Sequence, residues 1–116
     1  MSQGKLYHNP RCSKSRQTLE LLKSRDIDPE IVLYLETPPS ETELRKVIKM
    51  LGMTPRELLR KKEQEYKDQK LADESLNDKA ILQAMVQFPR LIERPIYVNE
   101  GKAAIGRPPE NVLEII

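Results

Sequence analysis

A turn wedged between a strand and a helix constrains this fold more than any other feature. Lys5-Leu6-Tyr7 is a short β-like run, and His8-Asn9-Pro10 follows it directly. Proline fixes its own φ and biases Asn9 away from helix, so the chain must turn there. From Ser13 the pattern becomes helical: Thr18, Leu21, Leu22 and Arg25 recur at three-to-four spacing, with Leu19 adjoining. Asp26-Ile27-Asp28-Pro29 ends that helix, and Glu30–Leu35, rich in branched residues, reads as a second strand. Strand, helix, strand is a βαβ unit, which favours parallel pairing through a right-handed crossover.

Helices occupy the middle of the chain. Ser40 sits three residues before Glu43, the capping-box spacing, and Leu44, Val47, Ile48 and Leu51 form an apolar stripe that stops at Gly52. Thr54 caps a short helix with Pro55 at its first position and Glu57 three residues on. Residues 61–70, KKEQEYKDQK, are almost wholly polar and read as an exposed connector. Asn77 or Asp78 opens a helix over Lys79–Gln87, and Pro89 breaks it. Ile96-Tyr97-Val98 and Lys102–Ile105 flank Asn99-Glu100-Gly101 as a hairpin, and residues 110–116 read as a short helix. The fold class is α/β. By analogy of element order it is a thioredoxin-like fold with a mixed four-stranded sheet, βαβ then β-hairpin plus helix, and a helical insertion at about 40–88. One domain, 1–116, is expected.

A net charge of +2 argues against broad binding to nucleic acid or to an anionic membrane. No apolar run approaches spanning length, and MSQGKLYHNP lacks the apolar stretch of a leader. The chain has one cysteine, so no internal disulfide, no CxxC pair and no multi-cysteine zinc site can form. A reducing compartment, the cytoplasm, is the expected setting. No metal and no bound cofactor are expected, and the chain reads as a monomer.

That cysteine, Cys12, falls between a strand end and a helix start, where free N–H groups and the helix dipole favour thiolate. Arg11, Lys14, Arg16 and His8 lie close in sequence, and a protonated imidazole near the sulfur would lower its pKa further. The same N–H cradle suits a tetrahedral oxyanion. The residues alone leave the other reading open: free cysteines are commonly buried and act as small hydrophobes. His8 could equally be a turn residue, and Lys14 and Arg16 a solvated helix face.

YHNPRCSKSRQTLELL, YLETPPS, LLRKKEQEY, LIERPI and IGRPPENVLEII together resemble the glutathione- and glutaredoxin-coupled arsenate reductase family, over residues 5–116. The resemblance implies that Cys12 attacks arsenate to form a covalent thiol–arsenate adduct. It implies that His8 lowers the pKa of Cys12 and that Ser15 hydrogen-bonds the thiolate. Arg60, Arg94 and Arg107 would surround the oxyanion, and Pro95 would be a cis proline facing the cysteine. Several fixed cations make sense against an anion that a thiolate attacks, and arginine binds oxyanions bidentately. Arg11 occupies a variable position; it either contacts oxyanion or glutathione, or points to solvent. Arg45, Arg56 and Arg90 read as surface residues with weak ion pairs.

Reduction to arsenite takes two electrons, and Cys12 supplies only one thiol. The second is expected from glutathione as co-substrate, with glutaredoxin clearing the resulting Cys12–glutathione mixed disulfide. Two alternatives are a general glutathione-dependent thiol oxidoreductase and a non-catalytic regulatory relative on the same fold.

Overall fold

The structure is a computed structural model describing residues 4–116. Met1–Gln3, the start of the segment read above as lacking an apolar leader, lie outside the described residues. No helix among the described residues is long and apolar enough to cross a membrane.

The chain divides into two compact units, one made of the residues up to Thr37 with Arg94–Ile116, the other of Pro38–Glu93. The first holds a four-stranded sheet in the order β2-β1-β3-β4, with β1 at Lys5–Tyr7, β2 at Glu30–Val32, β3 at Ile96–Asn99 and β4 at Lys102–Ile105. β1 pairs parallel with β2 and antiparallel with β3, so Leu6 stands opposite both Ile31 and Tyr97. Helix α1, Ser13–Ser24, is the crossover between β1 and β2. This is the expected thioredoxin-like arrangement of a βαβ half and a hairpin half.

The core of this unit is Leu6, Leu22, Tyr97 and Val112, with Leu19, Leu21, Ile27, Ala104 and Ile115 packed around it. Alternation explains why Leu6 and Tyr97 meet: they lie on one face of neighbouring strands at the same register. The hairpin turn places both Glu100 (φ 50°) and Gly101 (φ 79°) in the left-handed region, as a tight turn matching strand twist requires.

Two expectations shift. β2 ends at Val32, three residues short of Leu35, because the chain folds back at once: Leu33 O accepts from the N–H groups of Glu36 and Thr37, both at 2.9 Å. The closing segment, Pro109–Ile115, is a 3₁₀ helix.

The second unit contains α2 (Glu41–Leu51), α3 (Pro55–Leu58), α4 (Gln64–Asp68) and α5 (Asp78–Gln87). Ser40 caps α2 by accepting from Glu43 N at 3.1 Å, and Gly52 ends it at φ 69°. Thr54 and Glu57 form a complete capping box on α3. Asn77 accepts from Ala80 N and so caps α5. Leu44, Val47, Ile48, Leu58, Ile81, Leu82 and Met85 are buried, and α5 packs on both α2 and α3.

The polar run 61–70 is mostly exposed, as expected, but it is not irregular throughout. It forms α4, and the side chains of Glu63 and Glu65 are only 17% and 20% exposed because Arg90 pairs with both, at 3.2 and 3.6 Å. Arg90 is the expected surface residue with ion pairs, its side chain 63% exposed. Arg56 departs from expectation. Its guanidinium donates to the carbonyls of Leu71 (2.7 Å), Asp73 (3.1 Å) and Leu76 (3.3 Å) and so organises the irregular stretch before α5. Arg45 does make the anticipated surface pair, with Glu41 at 3.0 Å.

Candidate active site

The Asn-Pro turn works as its residues dictate. Asn9 O accepts from Cys12 N at 3.0 Å, and Asn9 Oδ1 accepts from Arg11 N at 3.1 Å, the short loop that asparagine side chains make two residues on. Cys12 is the residue capping α1, with extended backbone angles, and Arg16 N donates to its carbonyl as the first helical bond. The thiol is 9% exposed and closes no side-chain cap bond. The N–H groups of the first turn nevertheless act on the sulfur: burial pushes the Cys12 pKa up, but the Ser15 N–H, Arg94, the Lys14 N–H and Arg107 outweigh it and hold the pKa below the ordinary value.

Arg107 makes the direct contact. Its Nη2 stands 3.4 Å from Cys12 Sγ, while its Nε donates to Arg94 O at 2.8 Å. Arg94 precedes β3 and Arg107 follows β4, so the antiparallel hairpin brings both arginines to the end of the sheet where Cys12 lies. The peptide bonds Arg94–Pro95 and Arg107–Pro108 are both cis. Gly106 lets this corner close up. Its N–H donates to Pro95 O at 2.9 Å, and an added Cβ would meet Thr18 Oγ1 and come within 2.9 Å of Pro95 Cγ. Sequence reading passed over Gly106; a glycine directly before a site arginine was the available signal.

His8 and Ser15 lie together. His8 Nδ1 is 2.6 Å from Ser15 Oγ, and Asn9 N donates to the same hydroxyl at 3.0 Å. Burial, Arg16 and Lys23 push the His8 pKa below 6.5, so the ring is neutral near pH 7. The cations acting on Cys12 are Arg94 and Arg107. Ser15 reaches the sulfur through its backbone N–H, while its hydroxyl is committed to His8 and Asn9. Through Ser15, His8 ties the end of β1 to the first turn of α1.

Arg16 closes the turn from outside by donating to Pro10 O at 2.8 Å. Arg11 and Lys14 are exposed. In the second unit, Arg60 is fixed by its backbone, where Arg60 N donates to Leu91 O at 2.7 Å beside a bridge between Leu59 and Ile92. Its side chain is 19% exposed and reaches Glu63 at 3.7 Å, yet its Nη1 is buried with no hydrogen-bond partner among the described residues. A buried guanidinium donor left open in this way is costly unless an acceptor arrives.

Comparison with known proteins settles the lineage. The ArsC family model matches residues 7–115. The chain belongs to the ArsC family. An arsenate reductase of Neisseria meningitidis is 44% identical over the full length of both chains. The uncharacterised protein YfgD of Escherichia coli K12 is 61% identical over 98% of this chain and 97% of its own. Among solved structures, an arsenate reductase from Vibrio cholerae superposes with a TM-score of 0.95 at 48% identity, covering 99% of this chain and all of its own. The ArsC assignment agrees with the thioredoxin-like sheet.

Proposed function

We propose that this protein reduces arsenate to arsenite, with Cys12 as nucleophile and glutathione as the second thiol. The observation that carries the proposal is the Arg107 guanidinium 3.4 Å from a thiol whose pKa is lowered at a helix start. A cation in contact with the sulfur stabilises thiolate before reaction and the oxyanion once it is attached. Relatives named arsenate reductase, 43–46% identical along nearly this whole chain, support the substrate.

In the first step the thiolate attacks arsenic, an arsenate oxygen leaves as water, and no electrons change hands. Arg94 and Arg107 offset the added negative charge, and the family resemblance adds Arg60, whose open Nη1 suits an oxyanion. In the second step glutathione thiolate attacks Cys12 Sγ. The S–As bond pair stays on arsenic, which leaves as arsenite, and the two sulfurs become a mixed disulfide. Glutaredoxin then attacks that disulfide and restores Cys12.

Purified protein with arsenate, glutathione and glutaredoxin should release arsenite continuously, and Cys12→Ser should abolish release because a serine hydroxyl hardly ionises near neutral pH. No turnover, combined with reduction of a glutathionylated test substrate, would replace this reading with general glutathione-dependent thiol exchange.

A further inference from the structure

Beside the turn that carries Cys12 lies a cleft of about 280 Å³ lined by His8, Asn9, Pro10, Arg11, Leu33, Leu35 and Glu36. It sits where the loops after β1 and β2 leave the carboxyl ends of two parallel strands, the place where α/β sheets bind ligands. We propose that this cleft is the docking site for the peptide thiol that completes the reaction, a zwitterionic tripeptide of the glutathione type. The inference rests on the proposed two-thiol chemistry.

Three observations point to that occupant. Arg11 and Glu36 are both exposed and face the same cleft, but no salt bridge joins them, so one wall offers a cation and another an anion. Glutathione carries carboxylates and an ammonium group, which match those walls. His8, only 5% exposed, also lines the cleft; its Nδ1 is taken by Ser15, and its Nε2 makes no hydrogen bond among the described residues. That ring nitrogen is open to a polar group of the peptide. Pro10, Leu33 and Leu35 supply apolar wall, and Leu35 remains 39% exposed.

The chemistry also selects this side. When glutathione thiolate attacks Cys12 Sγ, the S–As bond breaks and its electron pair leaves with arsenic, and the released arsenite takes its proton from solvent. Displacement at sulfur is in line, so the thiol must enter opposite the oxyanion. Arg94 and Arg107 hold the β3–β4 flank of Cys12, and the cleft lies on the β2 flank.

S-methylglutathione, which cannot form a disulfide, tests this on the full-length protein. Titrated in by NMR, it should shift the amides of residues 8–11 and 33–36. Arg11→Glu and Glu36→Lys, checked for intact spectra, should each weaken its binding roughly tenfold, the worth of one charged hydrogen bond. They should raise KM for glutathione by a similar factor and leave KM for arsenate unchanged. No binding at millimolar concentration, shifts confined to other segments, or wild-type affinity in both variants would overturn the docking site. The arsenate reading stands apart: cleft binding without arsenite release would sink that reading and leave the site, whereas turnover without cleft binding would do the reverse.

Discussion

Burial disfavours the Cys12 thiolate, and two backbone N–H groups with two guanidinium groups favour it more strongly. Because the chain has one cysteine, thiolate absorbance reports this group alone. Its titration midpoint should fall below the free value of about 8.5. Arg107→Ala should raise that midpoint, since the variant loses a cation 3.4 Å from the sulfur; an unchanged midpoint would remove Arg107 from the thiol's environment. At this scale the sequence was informative about which residues gather and less so about how. Cys12 and His8 stand out by spacing, Ser15 only through the family resemblance, and the hairpin brings Arg94 and Arg107 to one end of the sheet. The charge state of His8 was not legible, because it depends on burial and on Arg16 and Lys23 across the folded unit. Nor was the division of Ser15 into a hydroxyl for His8 and an N–H for the thiol, which only the start of α1 decides.

Helix boundaries were the most legible elements, since Ser40, Gly52, Thr54 and Asn77 act as caps through local chemistry. Long-range partners were hidden. Arg56 looked like a surface residue because its acceptors lie 15 to 20 residues away, on carbonyls that no pattern announces. Arg56→Ala should strip donors from the Leu71, Asp73 and Leu76 carbonyls and lower stability by about 2 kcal/mol, read from urea unfolding. A loss under about 0.5 kcal/mol, the ordinary effect of a surface change, would contradict that role. The polar run 61–70 hid α4 for a related reason: this short helix buries no residue, so hydrophobic periodicity carries no trace of it.

Across the molecule, the site leaves a signature in the pH dependence of stability. His8 has a folded pKa below 6.5, so at pH values under 6.5 the unfolded chain binds the proton more readily. Its contribution is present above about pH 6.5 and is lost as pH falls below it. Cys12, also lowered, adds stability as pH rises from its folded pKa toward about 8.5, where the unfolded thiol still holds its proton. Urea midpoints should therefore climb through both windows, and His8→Asn should flatten the lower one; an unchanged slope in that variant would mean His8 is not buried neutral. Membership in the ArsC family and the mixed sheet agree with this thiol-centred reading, but the single cysteine makes the strongest demand on chemistry. In the proposed reaction, half of the reducing power comes from outside the chain. The most direct test omits glutaredoxin: protein, arsenate and glutathione should yield one arsenite per chain and then stop, with one glutathione disulfide-bonded to Cys12 by mass spectrometry. Sustained arsenite release with Cys12 remaining unmodified would contradict the account.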